Sequence, residues 1–481
     1  MTVLVGTLIA IPAALAVLCL VVPSRLGAPL TALGGLCSAG CIVAIALASA
    51  SGAASPDALS ALFLLPVAIV YGSVGLYTHW YIQAESSPGE RGEPFRREFL
   101  SLTNAFAGSE IVVPLLTNMA GLWVALEVTT ILSALLIRLQ GNSAALEAAW
   151  KYILIASCGL AFGLVAVVLL YAAGVGPLGT HYSPQWSAYV ASAARLDPDT
   201  VRVAFILALV GFGTKVGFAP MHAWLPDAHG AGPTPTSAML SGALLSDALY
   251  ALLRFAAISN AVNGPGLTHG LFFVVGLISL FIAAFFLLQQ RDIKRMLAYS
   301  SIEHMGVVAL GLAFGAPLAV MGALLHAINH AASKSLAFFA AGRLSQRYGT
   351  RELAGIRGGI VALPVSGTLF AIAGLSLVGL PPFGIFRSEL MILAGGFGTR
   401  GWVAAAVAVL LLGVAFAGML RWVQSASAGE PGPGIAVGER GSPAVYAMLL
   451  LLIIVLGVGL FVPTPLSVLL DRSMTSLRQG P

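Results

Sequence analysis

Ionisable side chains recur at helical spacing inside an apolar part of this 481-residue sequence. In LHAINHAASKSLAFF, residues His326, His330 and Lys334 are each four positions apart. Successive steps of four advance only about 40° around a helix and about 6 Å along it, so the three groups would form a column on one helix face. A single histidine in an apolar helix is usually a packing residue. Three ionisable groups in a row indicate instead a water-filled relay for protons.

A second group of interest is Lys215, in GFGTKVGFAPMHAWLPDAHG, residues 211–230. Gly217, Pro220 and Pro226 interrupt the predicted helix just beyond this lysine. A lysine at bilayer depth costs roughly 2.5–3.5 kcal/mol on insertion scales, so it indicates a functional group that faces a partner or a wet cavity. Broken backbone at that depth is tolerated only where protein or water covers it. Together these features predict a transport pathway.

Glu127, in the middle of the apolar LWVALEVTT, is the predicted partner of Lys215. A carboxylate and an ammonium group stabilise each other's charge when they are close. If the two groups can approach and separate, they form a proton switch. The alternative is a static buried ion pair that joins two helices.

Several other ionisable residues lie inside or beside apolar segments. Glu389 follows a break at Pro381-Pro382, and Arg387 would be either its partner or an anchor that reaches the membrane surface. Glu303 and His304 lie two turns beyond the basic start of RDIKRMLAYSSIEHMG, where they would either connect the cytoplasm to the histidine column or simply be solvated. For Glu110 and Asp247, single acids in the fourth and eighth predicted spans, contact with water near a helix end is an equally good interpretation. His222 and His229, in the broken segment, are secondary candidates.

The composition is that of an all-α polytopic membrane protein. Hydrophobic residues make up 58% of the chain and charged residues 9%, against about 25% charged residues in soluble domains. The net charge of +5 is therefore no reason to expect a nucleic-acid partner. The four cysteines form no CxxC pair, His222 and His229 are not at zinc-protease spacing, and neither G-x-S-x-G nor a P-loop occurs. We expect no catalytic site, no metal, no haem or iron–sulfur cluster and no other cofactor in this chain.

Apolar stretches of about 20 residues predict about fourteen spans, two of them broken. The predicted spans are 2–22, 28–49, 58–82, 100–118, 119–138, 147–173, 201–225, 233–258, 268–289, 295–315, 318–346, 359–397, 401–424 and 443–462. The breaks, at GFAPMHAWLP and GLPPFG, are five spans apart, so the two broken spans run in opposite directions. This offset predicts two inverted five-helix repeats, each with one discontinuous helix. The predicted divisions are a three-helix segment (1–99), the first repeat (100–258), the second repeat (268–424) and a last helix (443–462).

Basic residues in the loops predict the orientation of the chain. Most of them, Arg91 included, follow odd-numbered spans, and few, such as Arg400, lie on the opposite side. Because Lys and Arg accumulate on the cytoplasmic side, both termini should lie on the outer side of a bacterial or archaeal cytoplasmic (inner) membrane.

Four of these motifs together resemble one family. GFGTKVGFAPMHAWLPDAH, LWVALEVTT, RDIKRMLAYSSIEHMG and HAINHAASKSLAFFAAG are similar to segments of the proton-conducting antiporter-like subunits. That family occurs in the membrane arm of respiratory complex I, in multisubunit sodium/proton antiporters and in membrane-bound hydrogenases. Within it, LEAAWKYILIASCGLAF and GLPPFGIFRSELMIL most resemble hydrogenase-4 component F and the formate hydrogenlyase membrane subunits.

The resemblance implies a role for each matching residue. Glu127 and Lys215 would be the switch of a first half-channel, the column from His326 to Lys334 the central axis, and Glu389 the end of a second half-channel. Other membrane subunits of the family and a peripheral redox module would be the partners. The chain departs from the family in the eighth helix, where many relatives have a lysine and this chain has Ser246 followed by Asp247. Glu110 likewise stands where an apolar residue is expected.

Three functions are therefore considered. The first is a proton-translocating subunit of a membrane-bound oxidoreductase complex of the hydrogenase-4, formate hydrogenlyase or complex I type, without a redox centre of its own. The second is a secondary sodium/proton antiporter subunit, and the third is a membrane anchor for a soluble enzyme. The sequence leaves open whether sodium replaces protons.

Overall fold

The computed structural model describes residues 1–53, 56–84, 92–179, 182–399 and 401–479. Every regular element in these ranges is a helix, as the composition predicted. Arg91 and Arg400 of the predicted charge distribution lie outside the described residues. The α-helices are, in chain order, α1 (Thr2–Val21), α2 (Ser24–Ala50), α3 (Ala58–Ala84), α4 (Glu93–Leu115), α5 (Met119–Arg138), α6 (Ser143–Leu178), α7 (Trp186–Ala191), α8 (Pro198–Val216), α9 (Trp224–Ala231), α10 (Thr234–Met239), α11 (Leu245–Asn263), α12 (Gly266–Gln289), α13 (Ile293–Phe314), α14 (Pro317–Tyr348), α15 (Gly359–Ala362), α16 (Pro364–Leu377), α17 (Gly384–Phe397), α18 (Trp402–Ser427), α19 (Pro443–Leu460) and α20 (Thr464–Gln479).

Ten helical segments of the described chain are long and apolar enough to cross a membrane. They are α1, α2, α3, α5, α6, the α10–α11 segment, α12, α13, α18 and α19. The other four predicted spans coincide with α4, α8 with α9, α14, and α16 with α17. These four are not among the ten because they are interrupted or carry several polar residues. They contain most of the ionisable groups that were singled out in the sequence.

Helix α20 was not predicted from the sequence. It is too short and too polar to be recognised as a span, but its apolar residues recur at helical spacing, which is typical of an amphipathic helix. Leu469 and Leu470 are buried, and the helix packs against α3 and α11. A search for long apolar stretches does not detect this pattern.

Polar side chains define where three of the site-bearing helices begin. The side-chain oxygens of Asn118 and Asn142 accept hydrogen bonds from backbone amides in the first turns of α5 and α6. Asp292 does the same for α13, with the amides of Lys294 and Arg295. Each cap satisfies an amide that has no partner within the helix. The start of each of these helices, and therefore the depth of its side chains, is set locally.

Both predicted helix breaks are present, and each begins at a glycine. Helix α8 ends at Gly217, whose φ is +86°, and α16 is followed by Gly379, whose φ is +69°. Glycine adopts this left-handed conformation without the clash that a Cβ atom would produce. Across the first break, Trp224 Nε1 donates a hydrogen bond of 2.8 Å to the carbonyl oxygen of Thr214. The exposed end of α8 is thus covered by protein, as a break at bilayer depth requires.

The helix made of α10, a π-helical turn and α11 lies at the centre of the bundle. The π turn is Leu240–Leu244, and the 18-residue apolar window of this segment is completely buried. Helix α11 packs against α8, whereas the π turn packs against α14. This segment therefore contacts helices of both predicted repeats.

Glycines allow the broken helices to pack closely on their neighbours. A Cβ atom at Gly211 of α8 would lie 2.8 Å from Gly163 Cα of α6. The second broken helix makes an equivalent approach, because a Cβ atom at Gly395 of α17 would lie 2.7 Å from Ala319 Cβ of α14. Such small-residue contacts let helix backbones approach each other in a membrane.

The substitution Gly211→Ala should destabilise the bundle, because the new methyl group meets backbone atoms of Gly163 that cannot move aside. We expect a loss of roughly 1–3 kcal/mol, the range for overpacked cores. Thermal unfolding of the purified chain in detergent measures it. The matched control is Gly413→Ala in α18, where nothing lies within 4 Å of the added atom. A Gly211→Ala protein as stable as this control would contradict the close contact.

Candidate functional site

Lys215 is completely buried and is held by helix α5. Its Nζ atom donates a hydrogen bond of 2.7 Å to the carbonyl oxygen of Leu126 and a second one to the hydroxyl group of Thr130. These two oxygens are one helical turn apart, on the same face of α5. Two protein oxygens thus take the place of water around the Nζ atom of Lys215.

Glu127 lies beside this lysine but forms no ion pair with it in the described part of the chain. Its Oε1 atom accepts a hydrogen bond of 2.6 Å from the Ser157 hydroxyl of α6, whereas its Oε2 atom is buried without a protein partner. The Glu127 charge nevertheless acts on Lys215. The two groups that the sequence paired are therefore neighbours that remain separate in this structure.

Two further acids surround Lys215. Asp247 of α11 and Glu110 of α4 are fully buried, and both lie within electrostatic range of the lysine and of each other. None of their four carboxyl oxygens has a hydrogen-bond partner among the described residues. Burying an ionisable group without a partner is unfavourable, so such groups are typical of functional positions. The structure thus brings Glu110 into the same cluster as Lys215 and Asp247.

The second lysine, Lys334 of α14, is held in the same way as the first. Its Nζ atom donates a hydrogen bond of 2.8 Å to the carbonyl oxygen of Leu297 and another to the Ser300 hydroxyl, both on α13. Glu303 of the same helix is the carboxylate whose charge acts on Lys334. Each lysine therefore rests on one helical turn of a neighbouring helix and has an acid of that helix within electrostatic range.

The predicted histidine column continues from Lys334 into a cluster of rings. His330 lies next to His304, with ring centroids 5.4 Å apart. The Nε2 atom of His326 is 3.1 Å from His304 Nδ1, and its Nδ1 atom is 3.0 Å from Ser388 Oγ. His304 therefore belongs to the column, although it lies on α13 and the predicted column on α14.

Glu389 is the last group of this cluster. Its Oε1 atom is 3.8 Å from His304 Nδ1. Its other oxygen lies against Gly379, where a Cβ atom would collide with it. Arg387 is not its partner in the described residues: the arginine Nη1 atom lies 3.5 Å from the carbonyl oxygen of Gly459, near the end of α19. Of the two predicted alternatives for Arg387, a partner of Glu389 or an anchor that reaches the membrane surface, the structure thus does not support the first, and the second stays a prediction.

His229 and His222 occupy different environments. His229, on α9, is fully buried, has the Leu225 backbone beside its ring, and feels the charges of Lys334 and Lys294. His222 is half-buried in the loop between α8 and α9, and its ring lies 6.4 Å from that of Tyr299. His229 is therefore near the column, and His222 lies in the break.

The sequence analysis missed the hydroxyl groups that hold these ionisable residues. They are Thr130, Ser157, Ser300 and Ser388. Two of them lay in segments that had already been singled out, since LWVALEVTT ends at Thr130 and AYSSIEHMG contains Ser300. In both segments the available signal was a hydroxyl residue about one helical turn from an acid in a predicted span: Thr130 from Glu127, and Ser300 from Glu303. Ser157 and Ser388 had no comparable signal in the sequence.

A junction between the two sets of groups lies at the π turn. The hydroxyl oxygens of Ser241, in the turn, and Ser301, on α13, are 2.9 Å apart, and both residues are fully buried. π turns inside α-helices often mark functional positions. The arrangement is a series of buried acids, lysines and histidines in two groups, which could pass protons.

Comparison with known proteins gives matches over most of the chain. The family described as "NADH:quinone oxidoreductase/Mrp antiporter, TM" matches residues 117–415. The chain is 37% identical over 377 residues to the hydrogenase-4 component F homolog of Methylacidiphilum infernorum, covering 78% of this chain and 79% of that protein. It is 32% identical over 358 residues to NADH-quinone oxidoreductase subunit N of Desulforudis audaxviator, covering 72% of this chain and 69% of that one.

The fold is also found in a solved structure. A chain of respiratory complex I from Thermus thermophilus superimposes with a TM-score of 0.84 at 24% identity, over 98% of this chain and 99% of the other. The resemblance of the motifs is thereby confirmed. This protein is an antiporter-like membrane subunit that belongs to the NADH:quinone oxidoreductase/Mrp antiporter transmembrane family.

Proposed function

We propose that this chain translocates protons as one membrane subunit of an oxidoreductase complex of the hydrogenase-4 type and carries no redox centre itself. The observation that supports this function best is the pair of equivalent lysine sites. Each lysine is fully buried, rests on a backbone carbonyl and a hydroxyl group of one neighbouring helix, and has an acid of that helix nearby. A structural ion pair would bring the charges into direct contact, whereas here they stay apart.

The proposed architecture has fourteen spans, with α4–α11 and α12–α18 as two inverted repeats. The divisions predicted from the sequence, 1–99, 100–258, 268–424 and 443–462, follow from it. Two similarities support this arrangement: the third helix of each repeat packs closely on the broken fourth, and the second helix of each supplies the oxygens for a lysine. Inverted repeats with one broken helix each are typical of secondary transporters.

In the first half-channel, Glu127 and Lys215 form the proposed switch. A movement of α8 relative to α5 would shorten the distance between them and stabilise the charged form of both. Movement in the other direction favours the neutral lysine and releases its proton. Because α8 ends at the break after Gly217, such a movement would also displace this break. The driving force would come from a partner subunit, which itself responds to a peripheral redox module.

The link between the halves is assigned to Asp247, with the Ser241 and Ser301 hydroxyl groups as the next step. Asp247 takes the place of the lysine that many relatives have in the eighth predicted span, residues 233–258, which corresponds to α10 and α11 here. Support comes from its position on the central helix that contacts both halves. Glu110 lies on α4, whose main contacts among the described residues are with the N-terminal helices α1, α2 and α3 and with α5 and α11 of the first half.

In the second half-channel, the proton passes from Lys334 through His330, His326 and His304 to Glu389, whose Oε1 atom is 3.8 Å from His304 Nδ1. The hydroxyl group of Ser388 donates to the carbonyl oxygen of Ile385 at 2.9 Å, so its lone pairs can accept from His326 Nδ1–H. His326 Nε2 then accepts from His304 Nδ1–H. For transfer to Glu389, His304 Nδ1–H gives its proton to Oε1 and then accepts a new one from His326 Nε2, so the order of donors reverses. Glu303, His229 and His222 are side branches that could supply protons to it.

A sodium/proton antiporter subunit is the second candidate, because the family includes the Mrp antiporters. The two functions differ in what drives them and in the ion that moves. A membrane anchor for a soluble enzyme, the third alternative, requires none of the buried ionisable groups.

We place the chain in the cytoplasmic membrane with both termini outside, next to other membrane subunits.

Replacement of Lys215 by arginine separates a proton carrier from a structural cation. Arginine keeps the charge and the hydrogen-bond donors but does not release a proton. We expect both Lys215→Arg and Lys215→Ala to reduce proton pumping by the assembled complex about a hundredfold, the low end of what a positioned proton-transfer group contributes. Pumping is measured in inverted membrane vesicles and divided by the redox turnover of the complex.

The matched control is Lys151→Ala, because Lys151 is a half-exposed surface lysine of α6 paired with Glu147 and Asp227. It should pump like the unmodified complex. Normal pumping by Lys215→Arg would contradict the proposed switch. Pumping that requires sodium, with the same loss in the variants, would favour the antiporter function instead.

The assignment of Asp247 is tested by comparing two neutral isosteres. We expect Asp247→Asn to reduce pumping at least tenfold and Glu110→Gln to retain at least about half of it, since a relay link is worth more than a neighbouring charge. The vesicle measurement is the same, with assembly of the complex checked on native gels. Equal effects of both substitutions, or a greater loss with Glu110→Gln, would contradict Asp247 as the link.

A further inference from the structure

Three side chains with metal-binding atoms converge in the second half of the bundle. They are His304, His326 and Glu389, and their ligand atoms all lie within 4.8 Å of one another. The residues come from three helices, α13, α14 and α17. The sequence analysis predicted no metal site because these residues are far apart in the chain. Their convergence is a property of the fold alone.

The distances among these atoms suit a small tetrahedral ion. In a tetrahedral zinc site with Zn–N bonds of about 2.0–2.1 Å, two ligand atoms are about 3.3 Å apart. His304 Nδ1 is 3.1 Å from His326 Nε2 and 3.8 Å from Glu389 Oε1. The third pair, His326 with Glu389, lies within 4.8 Å, so a side-chain movement of up to about 1.5 Å would place all three atoms at bonding distance from one ion. Two histidines and a carboxylate with a fourth position open are a common zinc ligand set.

The hydrogen bonds around His326 prepare it to be a ligand. Its Nδ1 atom is 3.0 Å from Ser388 Oγ, which also accepts from Asn329 Nδ2 at 3.3 Å. Because the Ser388 hydroxyl donates to the carbonyl oxygen of Ile385, we assign the proton of this contact to His326 Nδ1. This contact directs the unprotonated Nε2 atom towards His304. A hydrogen bond to the second ring nitrogen that fixes the tautomer is typical of histidines that bind metals.

The chemistry of the donors selects the class of ion. Two of the three atoms are imidazole nitrogens, which suit Zn²⁺, Co²⁺, Ni²⁺ or Cu²⁺, whereas sodium and magnesium prefer oxygen. The Glu303 carboxylate is in electrostatic range of Glu389 and adds negative charge, while Lys334 opposes it. The Glu389 side chain is 10% exposed, and the two histidines are more deeply buried, so an ion would approach from the side of Glu389.

We propose that His304, His326 and Glu389 form a binding site for one transition-metal dication such as Zn²⁺. The ion would occupy the atoms that otherwise share a proton. Its arrival would displace the proton from His304 Nδ1, while the other ring nitrogen, Nε2, becomes the protonated one. A bound ion would therefore block proton transfer through the second half-channel. This consequence rests on the proposed function, whereas the binding itself does not.

Direct binding to the purified full chain tests the site. The chain is prepared in detergent without a polyhistidine tag, stripped with EDTA and dialysed against Zn²⁺ or Co²⁺. We expect one tightly bound ion per chain and, with Co²⁺, the intense visible absorption of a tetrahedral complex. His326→Gln and Glu389→Gln should each lose this ion. Ser388→Ala should weaken binding about 10- to 100-fold, as is usual when the hydrogen bond that orients a ligand is removed.

The matched control is His330→Gln, since His330 is equally buried and touches the ring of His304 but is not one of the three ligands. It should bind the ion as the unmodified chain does. All variants are compared at equal helix content and equal elution from a sizing column. The same stoichiometry in His326→Gln as in the unmodified chain, or an equal loss in His330→Gln, would overturn the proposal.

A second measurement tests the block. Zn²⁺ should inhibit pumping by the assembled complex over the concentration range in which it binds, and Ser388→Ala should shift both ranges together. Inhibition in a range unrelated to binding would overturn the proposed block. Because dialysis requires no proton flux, failure of the proposed function, seen as normal pumping by Lys215→Arg, is distinguished from failure of the metal site.

Discussion

The solvation of two buried ammonium groups by protein oxygens is the interaction on which the rest of the structure depends. Lys215 and Lys334 each lose their contact with water, and an isolated charge in such a place would be strongly unfavourable. One helical turn of a neighbouring helix replaces part of that water with a carbonyl oxygen and a hydroxyl group. Because these are neutral acceptors, the lysine is held without a fixed counter-charge, so its proton affinity remains sensitive to acids that lie nearby.

This arrangement requires helices that come close together without being uniform. The contacts between Gly163 and Gly211 and between Ala319 and Gly395 bring the broken helices against their neighbours. The left-handed glycines at 217 and 379 end a helix inside the bundle, where its polar groups find protein partners. Close packing on one side of a broken helix and a break next to an ionisable group are compatible with small movements. They are also the features that the two halves share.

Much of the fold and the identity of the ionisable groups could be predicted from the sequence. A lysine or a glutamate in an apolar segment is conspicuous because of its cost, and the column from His326 to Lys334 follows from helical periodicity alone. The partners were less predictable. Arg387, only two residues from Glu389, contacts Gly459, while the group nearest to Glu389 Oε1 is His304. Proximity in the sequence suggested a pair of Arg387 with Glu389, but residues two positions apart on a helix point in different directions.

What the sequence determined by itself is therefore the type of protein, its helices, its breaks and the list of groups able to exchange protons, because hydropathy, periodicity and rare polar residues are local properties. What only the tertiary structure decided is which of them meet. His326 hydrogen-bonds to His304 and to Ser388, which lie 22 and 62 positions away. Packing of α13, α14 and α17 brings them together, and no spacing within a single helix encodes it. The same packing creates the three-ligand cluster, which no spacing in the sequence predicts.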